Sequence, residues 1–226
     1  MKQSLKKLDE EFFAKFKIIQ HYKKNQLIFS PGAEPSGVFY VKSGYVRLYL
    51  ISENGKEITF NIMKPGSYFS MIWALNQTPN IYFYEALTDV LLFKAHKDEI
   101  VNFLEKNPKV LYDLTKRILS GLDGMTKLME ALLTGNAYQQ VASVLLVLAR
   151  RFGNKVDGVN EIVIDLPLTH RIIGTLAALS RESTSLEIEK LAKRGIITQK
   201  NRLIIIKQLE KLQEISPIGF VEETIF

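Results

Sequence analysis

The dominant hydrophobic pattern of the sequence changes from a strand period to a helix period near residue 97, and this change limits the folds that the chain can adopt. Before that point apolar and polar residues alternate, as in residues 45–51 (YVRLYLI) and 58–63 (ITFNIM), and alternation is typical of half-buried strands. Asn54-Gly55 lies between these two stretches and predicts a hairpin. After residue 97 apolar residues recur every three or four positions, as in helices. The sequence therefore predicts an α+β fold, with a β-rich domain followed by helices.

The β-rich part spans residues 18–95 and is predicted to form a sandwich, a jelly roll or a small barrel. Pro-Gly and Ser-Gly pairs separate several of its short apolar stretches. Besides the two strands already described, we expect strands at residues 27–29, 38–42, 80–87 and 90–95.

The helical part begins with a short helix from residue 97 that Pro108 ends, followed by a long apolar stripe that stops at Gly135-Asn136. The stripe consists of Leu111, Leu114, Ile118, Leu122, Met125, Met129 and Leu132. It fits either a helix packed on the β-domain or the seam of a two-helix coiled coil. We favour a homodimer, because the opposite face of the helix is strongly polar. The predicted dimer seam is Leu114, Ile118, Leu122, Met125 and Met129.

The C-terminal part has the outline of a winged helix-turn-helix. An apolar helix over residues 137–152 is followed by a loop with two glycines and by a strand at 161–167. A helix over residues 168–179, with Thr169 as its N-cap, then precedes a second helix, and residues 196–206 form two β-branched runs about a polar turn.

The second of these helices begins with Ser-Arg-Glu-Ser, residues 180–183. Ser180 is a suitable N-cap and Glu182 suits the positive end of the helix dipole, but Arg181 does not. An ordinary capped surface helix is one interpretation. A helix that contacts DNA bases with its first turn is the other, because Arg can bind guanine and Glu can accept from cytosine.

Residues 168–197 (LTHRIIGTLAALSRESTSLEIEKLAKRGII) resemble the helix-turn-helix of the catabolite activator / fumarate-nitrate regulator (CRP/FNR) family of transcription factors. Residues 37–69 resemble the sensor β-roll of that family, so the resemblance covers nearly the whole chain. It implies a cyclic-nucleotide-binding-like sensor, a dimerisation helix and a winged helix-turn-helix. We place these parts at residues 1–108, 109–136 and 137–226.

The resemblance also implies which residues contact double-stranded DNA. Arg181 and Glu182 match the base-contacting pair, Ser180 the phosphate-contacting cap, and Thr169 a backbone contact. The complete predicted set is Thr169, His170, Ser180, Arg181, Glu182, Ser183, Ser185, Lys200 and Arg202. The chain departs from the family where a second arginine is expected, since Thr184-Ser185-Leu186 stand there. Either Thr184 or Leu186 could contact a thymine methyl group.

A basic strip accompanies the predicted recognition helix. Between residues 190 and 211, Glu210 is the single acidic residue beside Lys190, Lys193, Arg194, Lys200, Arg202, Lys207 and Lys211. Such a strip either neutralises DNA phosphates or is simply a solvated surface.

The sensor lacks the residues that hold a cyclic nucleotide in cyclic-AMP-responsive relatives. Ser70-Met71 stand where the resemblance predicts Gly-Glu, and about Asn80-Ile81 where it predicts Arg-Ser. No arginine occurs between Arg47 and Arg117, although a buried phosphate needs a charge-assisted partner. The sequence therefore argues against cyclic AMP.

The same region is instead rich in aromatic residues. Its side chains either fill a ligand-free roll or hold an apolar or aromatic effector by stacking. The candidate effector pocket consists of Tyr68, Met71, Trp73, Tyr82 and Tyr84.

Composition excludes several other classes of function. The chain has no cysteine, so it cannot hold a cysteine-ligated iron–sulfur cluster, and His21 and His96 alone argue weakly for haem. No metal site and no enzyme motif is found. No apolar stretch suits a signal peptide or a membrane span, so we expect a cytoplasmic protein. The predicted partners are DNA, a second copy of the chain and RNA polymerase. The alternative is a ligand-binding regulatory module whose winged helix contacts a protein.

Overall fold

The computed structural model describes residues 10–16, 19–156 and 158–218. These residues fall into two compact units that divide between Leu114 and Thr115. Within the described residues no helix is long and apolar enough to cross a membrane.

The first unit contains two four-stranded antiparallel sheets, in the orders β1-β8-β3-β6 and β2-β7-β4-β5. Its strands are β1 (Ile19–Tyr22), β2 (Leu27–Phe29), β3 (Val38–Ser43), β4 (Val46–Ile51), β5 (Glu57–Met63), β6 (Tyr68–Phe69), β7 (Phe83–Ala86) and β8 (Val90–Ala95). Its helices are α1, described over residues 10–14, α2 (Met71–Asn76) and α3 (Lys97–Lys106).

Side chains of the first sheet alternate between its two faces with a period of two, and both faces of its strand β3 are buried. Phe39 and Val41 face a core that also contains Val46 and Met63 of the second sheet. Tyr40 and its same-face neighbours pack instead against α1, α3 and the start of the next helix. The predicted β-roll is therefore confirmed, with one sheet between the other sheet and a helical layer.

The long helix α4 (Pro108–Thr134) links the two units. Pro108 occupies its first turn, where the missing N–H costs nothing, so this proline both ends α3 and begins α4. The amide of Gly135 donates to the carbonyl of Ala131 as the helix ends. The bounds predicted from the apolar stripe are thus close to those observed.

The second unit is a winged helix-turn-helix. Its strands form one antiparallel sheet in the order β11-β12-β10-β9. The elements are α5 (Ala137–Phe152), β9 (Gly153–Lys155), β10 (Ile162–Ile164), α6 (His170–Ala177), α7 (Arg181–Lys193), β11 (Ile197–Lys200), β12 (Leu203–Ile206) and α8 (Leu209–Ile215). Asn136 and Gln139 form a capping box at the start of α5, each side chain accepting from the other residue's backbone N–H.

Three details differ from the sequence-based expectations. The strand predicted at residues 80–87 is confined to Phe83–Ala86, because Asn80 is used to fix the preceding loop. The loop predicted after α5 contains β9, which pairs with β10. Helices α1, α2 and α8 and strands β1 and β6 were not individually predicted from the sequence.

Candidate DNA-binding site

The two helices of the helix-turn-helix begin at capped positions. The Thr169 hydroxyl accepts from the backbone N–H of Ile172 at 3.2 Å, and the Ser180 hydroxyl accepts from that of Ser183 at 3.0 Å. Both residues are therefore N-caps, as predicted. Between the two helices the turn passes through Ala178, whose φ of 55° is in the left-handed region.

Gly174 allows the two helices to approach closely. A Cβ atom at this position would lie 2.8 Å from the Thr184 hydroxyl oxygen and 3.1 Å from the carbonyl oxygen of Leu179. The Thr184 hydroxyl donates to the carbonyl of Ser180 at 2.8 Å, and the residue is fully buried. This contact fixes where α7 begins relative to α6.

Thr184 is therefore unable to contact a thymine methyl group, which corrects one of the two alternatives given above. Its side chain faces α6 because it lies on the buried side of α7 with Ile188 and Leu191. Leu186, the other alternative, is 58% exposed and lies on the outer side of α7.

The first turn of α7 presents Arg181 and Glu182 to the surface. Among the residues that the structure describes, neither side chain has a hydrogen-bonding or ionic partner. Ser183 is less available, since its hydroxyl accepts from the Ser180 hydroxyl at 3.1 Å. In the first turn of a helix that enters the major groove, an unpaired arginine can bind guanine and an unpaired carboxylate can accept from cytosine.

His170 and Ser185, both predicted to contact DNA, bond to each other. The distance from His170 Nδ1 to Ser185 Oγ is 2.8 Å, and the other ring nitrogen lies 3.0 Å from the side-chain nitrogen of Gln199 in β11. Gln199 was not predicted as a site residue, because a single amide on a wing strand carries no sequence signal.

The wing is the hairpin of β11 and β12, and its tip bears Lys200 and Arg202. Asn201 and Arg202 both have positive φ values, 51° and 65°. Two consecutive left-handed residues make the primed turn that suits the twist of a hairpin, but the second position normally favours glycine. Within the described part of the chain, the Lys200 and Arg202 side chains have no acidic partner.

The basic strip divides into two groups. Lys190, Lys193 and Lys207 pair with Glu187, Glu189 and Glu161, each at 2.8–3.0 Å. The hydrogen bond and the charge of Lys193 lower the pKa of Glu189. Arg194 donates to the Tyr138 hydroxyl at 2.8 Å. The side chains left unpaired among the described residues are Lys200, Arg202 and Lys211.

An open cleft of about 670 Å³ lies between the start of α5 and the last turns of α7. Its lining includes Tyr138, Lys190 and Arg194, together with Glu187, whose Oε2 atom is buried and has no partner among the described residues. The cleft thus lies at the C-terminal end of α7, whereas Arg181 and Glu182 lie in its first turn.

The predicted effector-pocket residues lie in separate clusters of the first unit. Tyr68, Met71 and Trp73 pack against the helical layer, in the cluster that contains Phe13. Tyr84 packs in the core between the sheets, and burial raises the pKa of its hydroxyl to about 12. Tyr82 contacts Phe60. The structure therefore does not gather these five side chains at one pocket, because the two faces of one sheet separate them.

The core between the sheets is filled by stacked aromatic rings. Phe69 stacks on Phe39 and on Tyr84 with centroids 5.1 and 5.2 Å apart, and Phe29 contacts all three rings edge-on. Among the described residues no group of three or more acidic or histidine side chains is placed to hold a metal ion.

The positions that would hold a cyclic nucleotide carry no charge. Ser70 is a left-handed residue (φ 65°) that precedes α2, and Ile81 is exposed. The Asn80 amide donates to the carbonyls of Ser30 and Tyr82, both at 2.8 Å.

Arg47, the sensor's fully buried arginine, is already paired. It donates to Thr59 and Glu57 at 2.8 and 2.7 Å, and Glu85 lies 4.0 Å away. Its charge is therefore neutralised within the sheet.

Two family models match most of the chain. The cyclic nucleotide-binding domain matches residues 19–107, and the Crp-like helix-turn-helix domain matches residues 139–215. This chain belongs to the CRP/FNR family of transcription regulators.

Relatives of this CRP/FNR protein include the global nitrogen regulator of Nostoc sp. (strain PCC 7120), which is 26% identical over 84% of this chain and 85% of the relative. The CRP-like cAMP-activated global transcriptional regulator of Mycobacterium tuberculosis is 23% identical over 84% of each chain. Among solved structures, a CRP/FNR-family regulator from Thermus thermophilus has a TM-score of 0.68, with 27% identity over 88% of this chain and 97% of that one. A CooA mutant from Carboxydothermus hydrogenoformans has a TM-score of 0.73, with 25% identity over 87% and 86%.

The apolar stripe of the long helix in this CRP/FNR protein is buried at Leu114 and exposed farther along. Leu114 was predicted in the dimer seam, but it is buried in the cluster with Phe103 and Val110, because it lies near the start of α4, where side chains of the first unit cover it. The other predicted seam residues are all more than half exposed: they are Ile118, Leu122, Met125 and Met129. We call these four residues the exposed strip.

Proposed function

We propose that this protein is a homodimeric regulator that binds an inverted-repeat promoter site, contacts RNA polymerase there, and responds to a small molecule other than a cyclic nucleotide. The observation that carries the DNA-binding part is the pair Arg181 and Glu182. Both lie exposed and unpaired among the described residues, on a helix whose start is fixed by the Ser180 cap and by the Gly174–Thr184 contact.

The wing supports this proposal through an unfavourable backbone conformation. Arg202 has φ 65° at a turn position that glycine would occupy at lower cost, and the left-handed conformation costs an L-residue about 1–2 kcal/mol. An arginine retained at that cost, with no acidic partner in the described chain, is well explained by a contact with DNA phosphate.

The exposed strip supports the homodimer. Four apolar side chains at helical spacing along α4 form a surface that a second copy of the same helix would cover. Two recognition helices related by a twofold axis would require half-sites about one helical turn, roughly 34–36 Å, apart.

The side chains of the sensor favour an effector that has no phosphate group, because no arginine is available to bind one. The family relatives themselves differ in regulation, as the names global nitrogen regulator and cAMP-activated regulator indicate. Here Asn80 fixes a loop and Arg47 is neutralised by carboxylates, so neither offers a charge to a cyclic phosphate. The likeness to the cyclic nucleotide-binding domain therefore supports the fold and not that ligand.

The experiment compares base contacts with phosphate contacts on a site selected from random DNA. Arg181→Ala should cost roughly 1–3 kcal/mol on the selected site and relax base preference at one position in each half-site. Arg202→Gly should weaken selected and random DNA alike and lower the salt slope by about one. Since glycine relieves the left-handed strain, this variant should also unfold at a higher temperature than the wild type.

Lys211→Ala provides a matched control, because it removes another unpaired cation outside the wing and the first turn of α7. Equal losses on selected and random DNA for Arg181→Ala would contradict the base-contacting role. Unchanged DNA binding in both the Arg181 and Arg202 variants would instead favour a winged helix that contacts a protein.

A further inference from the structure

His170 connects the three parts of the DNA-binding site that must act together. It is the first residue of α6, and its ring lies between Ser185, in the second turn of α7, and Gln199, on the wing strand β11. The two distances, 2.8 Å from Nδ1 and 3.0 Å from Nε2, are both within hydrogen-bonding range.

The ring chemistry gives the two bonds a direction. The side-chain nitrogen of Gln199 faces Nε2, and an amide nitrogen only donates, so Nε2 accepts. In a neutral imidazole the proton is then on Nδ1, which donates to Ser185 Oγ. Both nitrogens are thereby used inside the protein, and neither is left to bind a DNA phosphate.

The wing needs such a connection because β11 is an edge strand. In the order β11-β12-β10-β9, β11 pairs only with β12, so backbone bonds hold it on one side. The Gln199–His170 bond joins this strand to the helix-turn-helix. The Ser185–His170 bond joins the same ring to α7, one turn after Arg181.

We propose that His170 is a positioning residue, which holds the wing and the recognition helix in one arrangement so that Arg202 meets phosphate while Arg181 meets bases. This inference rests on the proposed DNA-binding function. It replaces the direct DNA contacts predicted for His170 and Ser185, and it assigns a role to Gln199.

Two conservative variants separate the two bonds. Asparagine places its amide where the histidine has Nδ1, so His170→Asn keeps the bond to Ser185 and loses the one to Gln199. Glutamine reaches the position of Nε2, so His170→Gln keeps the bond to Gln199 and loses the one to Ser185. His170→Ala loses both, and we expect about a tenfold loss of affinity for the selected site. Binding to random DNA and the salt slope should be unchanged, because the released wing can still reach a phosphate, but not in the arrangement that also brings Arg181 to its bases.

The rescue by each conservative variant should depend on its partner. His170→Asn should recover part of the loss in an otherwise wild-type protein, but none beside Ser185→Ala. His170→Gln should recover part of the loss, but none beside Gln199→Ala. A residue that only stabilises the fold would show no such dependence on its partner. Circular dichroism of each variant checks that the domain is folded.

Nitrogen NMR of the full-length protein tests the two bonds without DNA. The chain has three histidines, so the signals of His170 are those that disappear in His170→Asn. Ser185→Ala should shift the Nδ1 signal and Gln199→Ala the Nε2 signal. Absence of both shifts would overturn the positioning role, whatever the outcome of the DNA experiments.

A direct phosphate contact predicts the opposite DNA results. In that case His170→Ala would weaken selected and random DNA equally and lower the salt slope by about one, and His170→Arg would restore both. Those results would also overturn the proposal. A wild-type protein that prefers no DNA sequence, but shows both NMR shifts, would contradict the proposed function while the hydrogen bonds themselves stand.

Discussion

The exposed strip of α4 makes the homodimer open to a direct test. We consider the double variant Ile118→Asp plus Leu122→Asp, which places two carboxylates in the middle of the strip. Ile118, Leu122, Met125 and Met129 are 57%, 60%, 52% and 58% exposed within one chain. A partner helix would therefore cover about half of each side chain.

The size of the effect follows from these exposures. Complete burial of a large aliphatic side chain stabilises by about 1.5–3 kcal/mol, so covering the exposed half contributes about 1 kcal/mol. Ile118 and Leu122 of two protomers would thus contribute about 4 kcal/mol, which corresponds to roughly a thousandfold in the dimer dissociation constant. Four buried carboxylates of like charge would add to the loss. We expect the variant to be monomeric.

Sedimentation velocity over a wide concentration range measures this directly, because the monomer has a mass of 25.8 kDa and the dimer twice that. Lys116→Asp is the matched control, since it adds a carboxylate to the polar side of α4 and should leave the dimer intact. Operator affinity should fall only in the double variant, in which the two recognition helices are no longer linked.

Leu114→Ala tests the correction to the seam. Because Leu114 is buried in the sensor unit, its truncation should cost about 2–5 kcal/mol of stability without changing the sedimentation coefficient of the folded protein. A double Asp variant that still sediments as a dimer would show that the strip is not the interface. A Leu114→Ala variant that dissociates without losing stability would restore Leu114 to the seam.

Three further outcomes are expected. Gly174→Ala should destabilise the protein by about 1–3 kcal/mol in thermal unfolding because its Cβ would lie 2.8 Å from the Thr184 hydroxyl, and adding Thr184→Ala should recover part of that loss; equal stability of wild type and Gly174→Ala would refute the close contact. Ala178→Gly should raise the free energy of unfolding by about 1 kcal/mol in the same measurement, because glycine adopts a φ of 55° without strain, and a loss of stability would contradict this. Calorimetry with cyclic AMP and cyclic GMP should show no binding, and micromolar affinity for either would contradict the proposed effector class.

The elements best predicted from the sequence are those with a local cause. The period-two alternation of β4 and β5 and the caps at Thr169 and Ser180 need only neighbouring residues, so their bounds agree with the structure to within a residue or two. Strand β9 has the sequence Gly-Asn-Lys, which contains no apolar alternation. It is a strand only because β10 offers a free edge.

The errors in the predicted dimer seam and effector pocket arise from tertiary packing. A helical stripe shows that one side of a helix is apolar but not what covers each part of it, and the stripe of α4 is buried at Leu114 and exposed from Ile118 to Met129. Leu114 and Ile118 are one helical turn apart on this stripe, so the sequence pattern does not distinguish them. Likewise the aromatic residues after Gly66 looked like one pocket, whereas the alternation of the sheet sends Tyr68 and Phe69 to opposite faces. Tertiary packing decides such cases.

The structure also shows which side chain is exposed at residues 184–186, where the family resemblance predicts a second arginine. Of the three residues that stand in its place, Thr184 is buried against Gly174 and Ser185 is bonded to His170, so only Leu186 remains exposed. A leucine there can contact a thymine methyl group but cannot hydrogen-bond a base edge. In the proposed DNA complex, base selection by hydrogen bonds would therefore depend on Arg181 and Glu182. The half-site should consequently contain fewer strictly required base pairs than one recognised by two arginines, with the wing and DNA shape supplying the remaining discrimination.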